Sequence, residues 1–242
     1  MSPQNKMRER VAHISNPATS GTQNAGKPKA YEGGEKSRLP KSRIHSASFA
    51  MMAQKRYYML WEKTTIGGRD MDFWETIEKR HSVRSFLPED VPEEDVRKIL
   101  MAAIRAPSAG NRQPWHFYVV RNPQVKRKLA QAALNQEFVA QAPVVIVVCA
   151  EPARSAARYG SRGSELYCLQ DTAAATEHIL LAATALGYGS CWVGAFDEAG
   201  VAAVLNLPSN LRPVAMVPIG KPGREASART SRRPLEEVCT FL

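Results

Sequence analysis

Apolar positions divide the chain into two unequal parts. Up to Phe49 there is little hydrophobic periodicity, and from Met71 onward periodic segments follow one another closely. Phe73, Trp74 and Ile77 fall at i, i+1 and i+4, predicting a short helix whose apolar face steadies the segment after it. Arg80-His81-Ser82-Val83-Arg84 reads as extended chain, so a period of two sets Arg80, Ser82 and Arg84 on one side and His81 and Val83 on the other. Pro92 suits a first helical position, with Val96, Ile99, Leu100 and Ala103 marking a face that stops at Ala106-Pro107. A turn-rich loop, 107–114, then gives way to a strand from Trp115 to Val120, and Asn122-Pro123 caps a helix running through Leu129 and Ala133. Val144 to Cys149 is apolar at every position, which predicts a strand buried on both faces. The Arg-rich stretch Glu151 to Gly163 reads as an irregular, mobile loop. A long helix from about Glu165 to Leu186, closed by Gly187, is apolar almost all round late on and belongs at the centre of the molecule. Asp197 caps a short helix to Leu205, and Val214 to Ile219 is the last core strand. Strands and helices mix without strict βαβ alternation, so the expected class is α+β with a mixed, largely antiparallel sheet.

Charge sharpens the division. The net charge of +10 sits mostly in residues 1–70, which hold 13 Lys+Arg against 5 Asp+Glu, whereas residues 71–242 hold 20 against 18. The first part, rich in Ser, Gly, Pro, Asn, Gln and Lys, is expected to be a disordered extension, either a dispensable arm or an artefact ahead of a functional start at Met71. It lacks the long apolar stretch of a signal peptide, and Glu9, Glu32 and Glu35 speak against a transit peptide. Its Gly21 to Lys27 run imitates a P-loop, yet Pro28 stands where a magnesium-binding hydroxyl is needed. The near-neutral second part has no nucleic-acid reader motif, so binding of nucleic acid would have to rest on the basic arm. Four cysteines without CxxC spacing predict reduced thiols in a cytoplasmic protein and no metal site, and no apolar run approaches the roughly 20 residues a membrane span needs.

Two guanidiniums flanking a hydroxyl, as Arg80, Ser82 and Arg84 do, make a cradle for a dianionic phosphate. The segment Gly187-Tyr-Gly-Ser-Cys-Trp-Val-Gly194 contains GxG but closes a helix and enters a strand, the reverse of a dinucleotide fingerprint. Trp115 reads as a core aromatic, His81 and His116 as packing or solvent positions, Cys168 and Cys191 as inert buried thiols, and Asp171 as a buried hydrogen-bonding group.

Four separated segments then agree: Arg80-His-Ser-Val-Arg84, Ala106-Pro-Ser-Ala-Gly-Asn-Arg-Gln-Pro-Trp115, Leu186 to Gly194, and Ser231-Arg-Arg-Pro-Leu-Glu236. In this order and spacing, residues 71–242 resemble the nitroreductase family of FMN-dependent NAD(P)H oxidoreductases. The resemblance implies an α/β/α sandwich that forms a homodimer with FMN at the interface. It implies that Arg80, Ser82 and Arg84, with neighbouring His81, hold the phosphate and ribityl chain, and that Pro107, Ser108, Asn111 and Gln113 line the flavin. Trp192, Val193 and Gly194 would run along the isoalloxazine edge, and Arg232 would reach the phosphate. No protein side chain is expected to act as catalyst, because the flavin would carry the chemistry from NADH or NADPH to a small aromatic acceptor in ping-pong fashion. A specialised relative performing reductive dehalogenation, azoline oxidation or flavin breakdown is the alternative. The chain departs from the larger members in lacking an obvious inserted helix pair, and it carries Thr230 where many members have a second basic residue.

Overall fold

A computed structural model describes residues 71–223 and 230–242; the expectations for residues 1–70 lie outside these. The chain begins with α1 (Phe73–Lys79), where Asp72 accepts from the Glu75 amide at 2.9 Å as an N-cap. Helix α2 (Glu93–Ala103) follows Pro92 and opens with three acidic residues, which suit the positive end of its dipole. Strand β1 (Trp115–Val120) leads to α3 (Pro123–Ala132), capped by Asn122, and to the short α4 (Phe138–Gln141). Then come β2 (Val144–Ala150), α5 (Pro152–Arg162), a π-helical turn (Gly163–Tyr167) and α6 (Cys168–Ala185). The two-residue β3 (Gly189–Ser190), α7 (Glu198–Leu205) and β4 (Arg212–Gly220) complete the fold, before a 3-10 turn at Leu235–Glu237.

The sheet has the order β1-β2-β4-β3, and its ladders are all antiparallel. Every residue of β2 is buried, as its unbroken apolar run predicts, and its alternating side chains divide the core in two. Val144, Ile146 and Val148 pack with Val96 and Ile99 of α2 and Ile179 and Leu180 of α6. Val145, Val147 and Cys149 pack on the opposite side with Leu129 of α3, Val139 of α4 and Val201 of α7. The result is the three-layer α+β sandwich with an antiparallel sheet. Helix α6 lies against strands from every part of that sheet, which accounts for its apolar circumference. Gly187 ends the helix at φ 76°, the left-handed conformation that a C′ glycine adopts without a Cβ penalty.

Two expectations are corrected. Glu151 to Gly163 is no irregular loop but mostly α5, with Pro152 in its first turn and a break at Gly160, where φ is 57° and ψ −143°. Its one fully buried residue is Ser155, so hydrophobic periodicity gave no sign of it. Phe73, Trp74 and Ile77 do not pack inward: they are 61%, 74% and 45% exposed, and only Thr76 of α1 is buried.

What fixes the 80–84 segment is its pairing with β3. Val83 N donates to Ser190 O at 2.9 Å, and Ser82 forms a parallel bridge with Ser190. The approach is close because residue 189 has no side chain: a Cβ there would stand 2.8 Å from a methyl of the fully buried Val83. Gly189→Ala is therefore expected to destabilise the protein by about 1–3 kcal/mol through overpacking. Chemical denaturation would measure this, and an unchanged midpoint would contradict the close approach.

Candidate functional site

The single bridge between Ser82 and Ser190 sets residues 80–84 beside β3 at the sheet edge. Val83 is buried, Arg84 is exposed, and Arg80 and Ser82 are half-buried. On the opposite side, His81 and Val83 line a cleft of about 230 Å³ with Thr184 and Tyr188. His81 engages the Lys79 carbonyl through Nδ1 at 2.9 Å, and Tyr188 donates to Asp95 at 2.6 Å.

The charges of Arg80 and Arg84 both act on the buried thiol of Cys191, while the Arg84 guanidinium itself stands 6.0 Å from the centroid of the Phe138 ring. Burial raises the pKa of that thiol, while the Arg84 charge, a hydrogen bond with Ser82 and the Arg80 charge all pull it down. Arg80 is weakly restrained by Glu177 on α6, with Nε 3.9 Å from a carboxylate oxygen. Ser190, beside Ser82 in the bridge, is buried, and its Oγ has no hydrogen-bond partner. Two cations, a hydroxyl and an unpartnered buried hydroxyl thus occupy the same short sheet edge, a donor set suited to an anion.

The 187–194 segment continues from this edge. Val193 is buried and exchanges two backbone hydrogen bonds with Met216, at 2.9 and 3.0 Å, so its N–H is already used. The amides of Trp192 and Gly194 on either side donate to no described residue, and Trp192 is partly exposed. A ligand edge running past this segment would meet those two amides.

The loop 107–114 forms a second group. Gly110, Asn111 and Gln113 all have positive φ, at 53°, 54° and 50°. Left-handed backbone at two non-glycine residues is strained and persists only when surrounding contacts enforce it. Here Gln113 N donates to Ser108 Oγ at 3.0 Å, Gln113 Nε2 to Asn111 Oδ1 at 3.1 Å, and Asn111 N to Ser108 O at 2.9 Å. Asp171 of α6 reaches up from the core and accepts from Ala109 N at 3.0 Å. Both groups therefore lean on α6, at Glu177 and Asp171. Those positions are six residues apart, or about 9 Å along the helix axis.

The remaining sequence-derived residues fall as follows. Pro107 is exposed beside the loop, and Trp115 is a core residue at its base with Ala106 and Ala175. Arg232 lies in the exposed C-terminal segment, where its Nη1 donates to Thr230 and Ser231. Cys168 is buried, and burial raises its pKa. Sequence reasoning missed the placement of Ser190 and Cys191 beside residues 80–84, because the pairing of residue 82 with 190 spans more than 100 positions. Among the described residues no cluster of three His, Cys, Asp or Glu side chains forms a metal site, and no helix is long and apolar enough to cross a membrane.

Asp171 yields a pH prediction. It is buried, its Oδ2 has no partner, and burial raises its pKa against the opposing pull of the Ala109 N–H. A carboxyl raised in the folded state contributes stability that is present below the ordinary aspartate value, about 3.9, and is lost as pH rises through the raised value. Asp171→Asn keeps an acceptor for Ala109 but does not ionise. Its stability relative to the native chain should therefore improve as pH rises from about 4 toward neutrality. Urea unfolding across that range measures the difference, and a constant difference would contradict the placement.

The profile of the nitroreductase family matches residues 77–137 and 130–221. A Thermus thermophilus protein named NADH dehydrogenase is 35% identical over 187 residues, covering 66% of this chain and 91% of the relative. A nitroreductase family protein of known structure from Clostridium novyi is 38% identical with a TM-score of 0.59, covering 64% of this chain and 87% of the other. The structure of the Vibrio harveyi NADPH:FMN oxidoreductase complexed with NAD+ superposes with a TM-score of 0.63 at 26% identity, covering 69% and 76%. With the family profile spanning most of the described domain and the relatives aligned along nearly all their own length, this chain belongs to the nitroreductase family of oxidoreductases.

Proposed function

We propose that the protein is an FMN-dependent oxidoreductase that passes reducing equivalents from NAD(P)H to a flat, electron-poor acceptor such as a nitroaromatic or quinone. The observation that carries this reading is the bridge that sets Ser82, flanked in the chain by Arg80 and Arg84, beside the unpartnered Ser190 hydroxyl. Among common cofactors of this family's chemistry, FMN ends in a phosphate dianion, which two guanidiniums and two hydroxyls suit in charge and donor number. His81 stands in the same strand but faces away from the cradle, so it serves as packing behind it. Arg232 is assigned to the same phosphate as a third cation.

Bound there, FMN would supply two-electron carriage between donor and acceptor. The chain's own residues position and shield it. Trp192 and Gly194 offer free amides to the polar edge of the ring, and the buried Val193 anchors them through Met216. Ser108, Asn111 and Gln113, held in their strained turn by Asp171, present hydroxyl and amide groups at fixed positions. No side chain is asked to form a covalent intermediate. Cys149, whose thiol burial pushes up to about 12, is a core residue and no nucleophile.

The functional unit we infer is a homodimer with FMN at the interface, in the cytoplasm. α1 exposes Phe73, Trp74 and Ile77, and the C-terminal segment exposes Leu235, Val238 and Phe241. Clusters of large apolar side chains left open to water suit burial against a second copy.

The purified protein should be yellow, or become so on mixing with FMN, and a protein that stays colourless would refute the proposal. Arg80→Ala and Arg84→Ala should each weaken FMN retention by about tenfold or more, the scale of one charge-assisted contact, with the circular dichroism spectrum unchanged. If NAD(P)H and acceptor use one face in turn, double-reciprocal plots at several acceptor concentrations should be parallel; intersecting lines would rule out the alternation.

A further inference from the structure

Helix α5 carries Arg154 and Arg158 one turn apart on one face, and Arg162 just past the break at Gly160. Five surface cations elsewhere in the domain have close acidic partners: Lys79 with Glu75, Arg97 with Glu93, Lys98 with Glu94, Arg121 with Asp90 and Arg212 with Glu198. Among the described residues, no carboxylate pairs with these three arginines or with Arg112 of the 107–114 loop. They are organised in another way. Arg112 Nε donates to Arg154 O at 2.9 Å, and Arg154 Nε donates back to Arg112 O at 2.6 Å. Arg162 Nε donates to the Tyr167 hydroxyl at 2.9 Å, with its guanidinium 5.2 Å from that ring's centroid. Arg158 stands 5.5 Å from the centroid of Tyr159.

Two features separate this arrangement from an ordinary solvated face. Arg112, Arg154 and Arg162 are each held through Nε, leaving the paired Nη groups free of any bond to a described residue. Those Nη pairs are the donors that bind an oxyanion through two parallel hydrogen bonds. The second feature is location. A Cβ at Gly110 would collide with the Tyr159 hydroxyl and lie 3.0 Å from Arg158 Nη1, so the patch closes directly over the turn that carries Ser108, Asn111 and Gln113. Gathering like charges without counter-ions is unfavourable for the folded chain, but it raises the local concentration of anions beside that turn.

We propose that Arg112, Arg154, Arg158 and Arg162 form a docking site for an oxyanionic group of a small-molecule substrate that reacts at the flavin, distinct from the Arg80–Arg84 cradle. The proposal rests on the functional reading above. It makes the enzyme selective for acidic substrates over neutral ones of the same shape. The oxyanion belongs either to the pyridine nucleotide, through its phosphates, or to the acceptor, through a carboxylate.

The test uses the FMN-loaded full chain, Arg158→Gln, and Arg158→Lys as the charge-retaining control. Stopped-flow mixing gives second-order rate constants for reduction by NADPH and by reduced nicotinamide mononucleotide. It then gives those for reoxidation by 4-nitrobenzoate and by the neutral 4-nitrobenzamide. In Arg158→Gln the preference for the more anionic member of one pair should fall about tenfold, with partial recovery in Arg158→Lys. A fall confined to the nucleotide pair assigns the oxyanion to the nucleotide, and one confined to the benzoate pair assigns it to the acceptor. Calorimetric titration with inorganic pyrophosphate provides a readout independent of turnover: the native chain should bind it in a salt-sensitive manner, and Arg158→Gln should bind it at least about tenfold more weakly. Unchanged preferences and unchanged pyrophosphate binding would overturn the proposal. A chain that takes up no FMN would sink the functional reading instead, and the pyrophosphate titration would still decide the patch.

Discussion

A strand with no polar side chain has to be covered on both faces, and that requirement organises this domain. β2 supplies seven consecutive buried residues at the middle of the sheet. The hydrophobic effect, at roughly 25 cal/mol per Å² of apolar surface, favours any arrangement that keeps water from both sides. Helices α2 and α6 cover one face, and α3, α4 and α7 the other. Antiparallel neighbours on both edges then satisfy the backbone of β2, and the sheet edges are left for binding.

Helix α6 links the core to the candidate site. Its buried stripe from Cys168 to Ala183 packs against the sheet and α2, so the polar groups along it are held in place. Asp171 braces the strained 108–113 turn from below, and Glu177 faces Arg80 at the other group. The two half-sites inherit their spacing from a packed helix, which flexes less than the loops it supports. An unsatisfied Oδ2 on Asp171 and an unsatisfied Oγ on Ser190 are costs of about 1–3 kcal/mol each that the core tolerates beside these positions.

Much of the fold was legible in the sequence. The β2 run, the Gly187 stop, the Asn122 and Asp197 caps and the boundaries of β1 are local signals, and they emerge as read. What escaped was whatever depends on distant partners. Helix α5 buries little, so its pattern carries no hydrophobic period, and Gly160 and Gly163 disguise it further. The apolar side chains of α1 could be identified by pattern, but a pattern cannot state what covers them, and among the described residues nothing does. At the site, residue types pointed to a phosphate cradle, and the period of two placed Val83 and Arg84 on opposite sides. The left-handed turn at Asn111 and Gln113 had no local signal beyond Gly110, since those residues adopt positive φ only under the contacts made by Ser108 and Asp171.

The distribution of sulfur has a practical consequence. Of the four cysteines, Cys149, Cys168 and Cys191 are enclosed, and Cys239 alone is open to solvent. In the single protomer a maleimide dye would accordingly attach to the C-terminal segment and spare the interior. The native chain thus brings its own single attachment point for a fluorophore, seven residues from Arg232, from which movement of that segment can be followed without engineering the sequence.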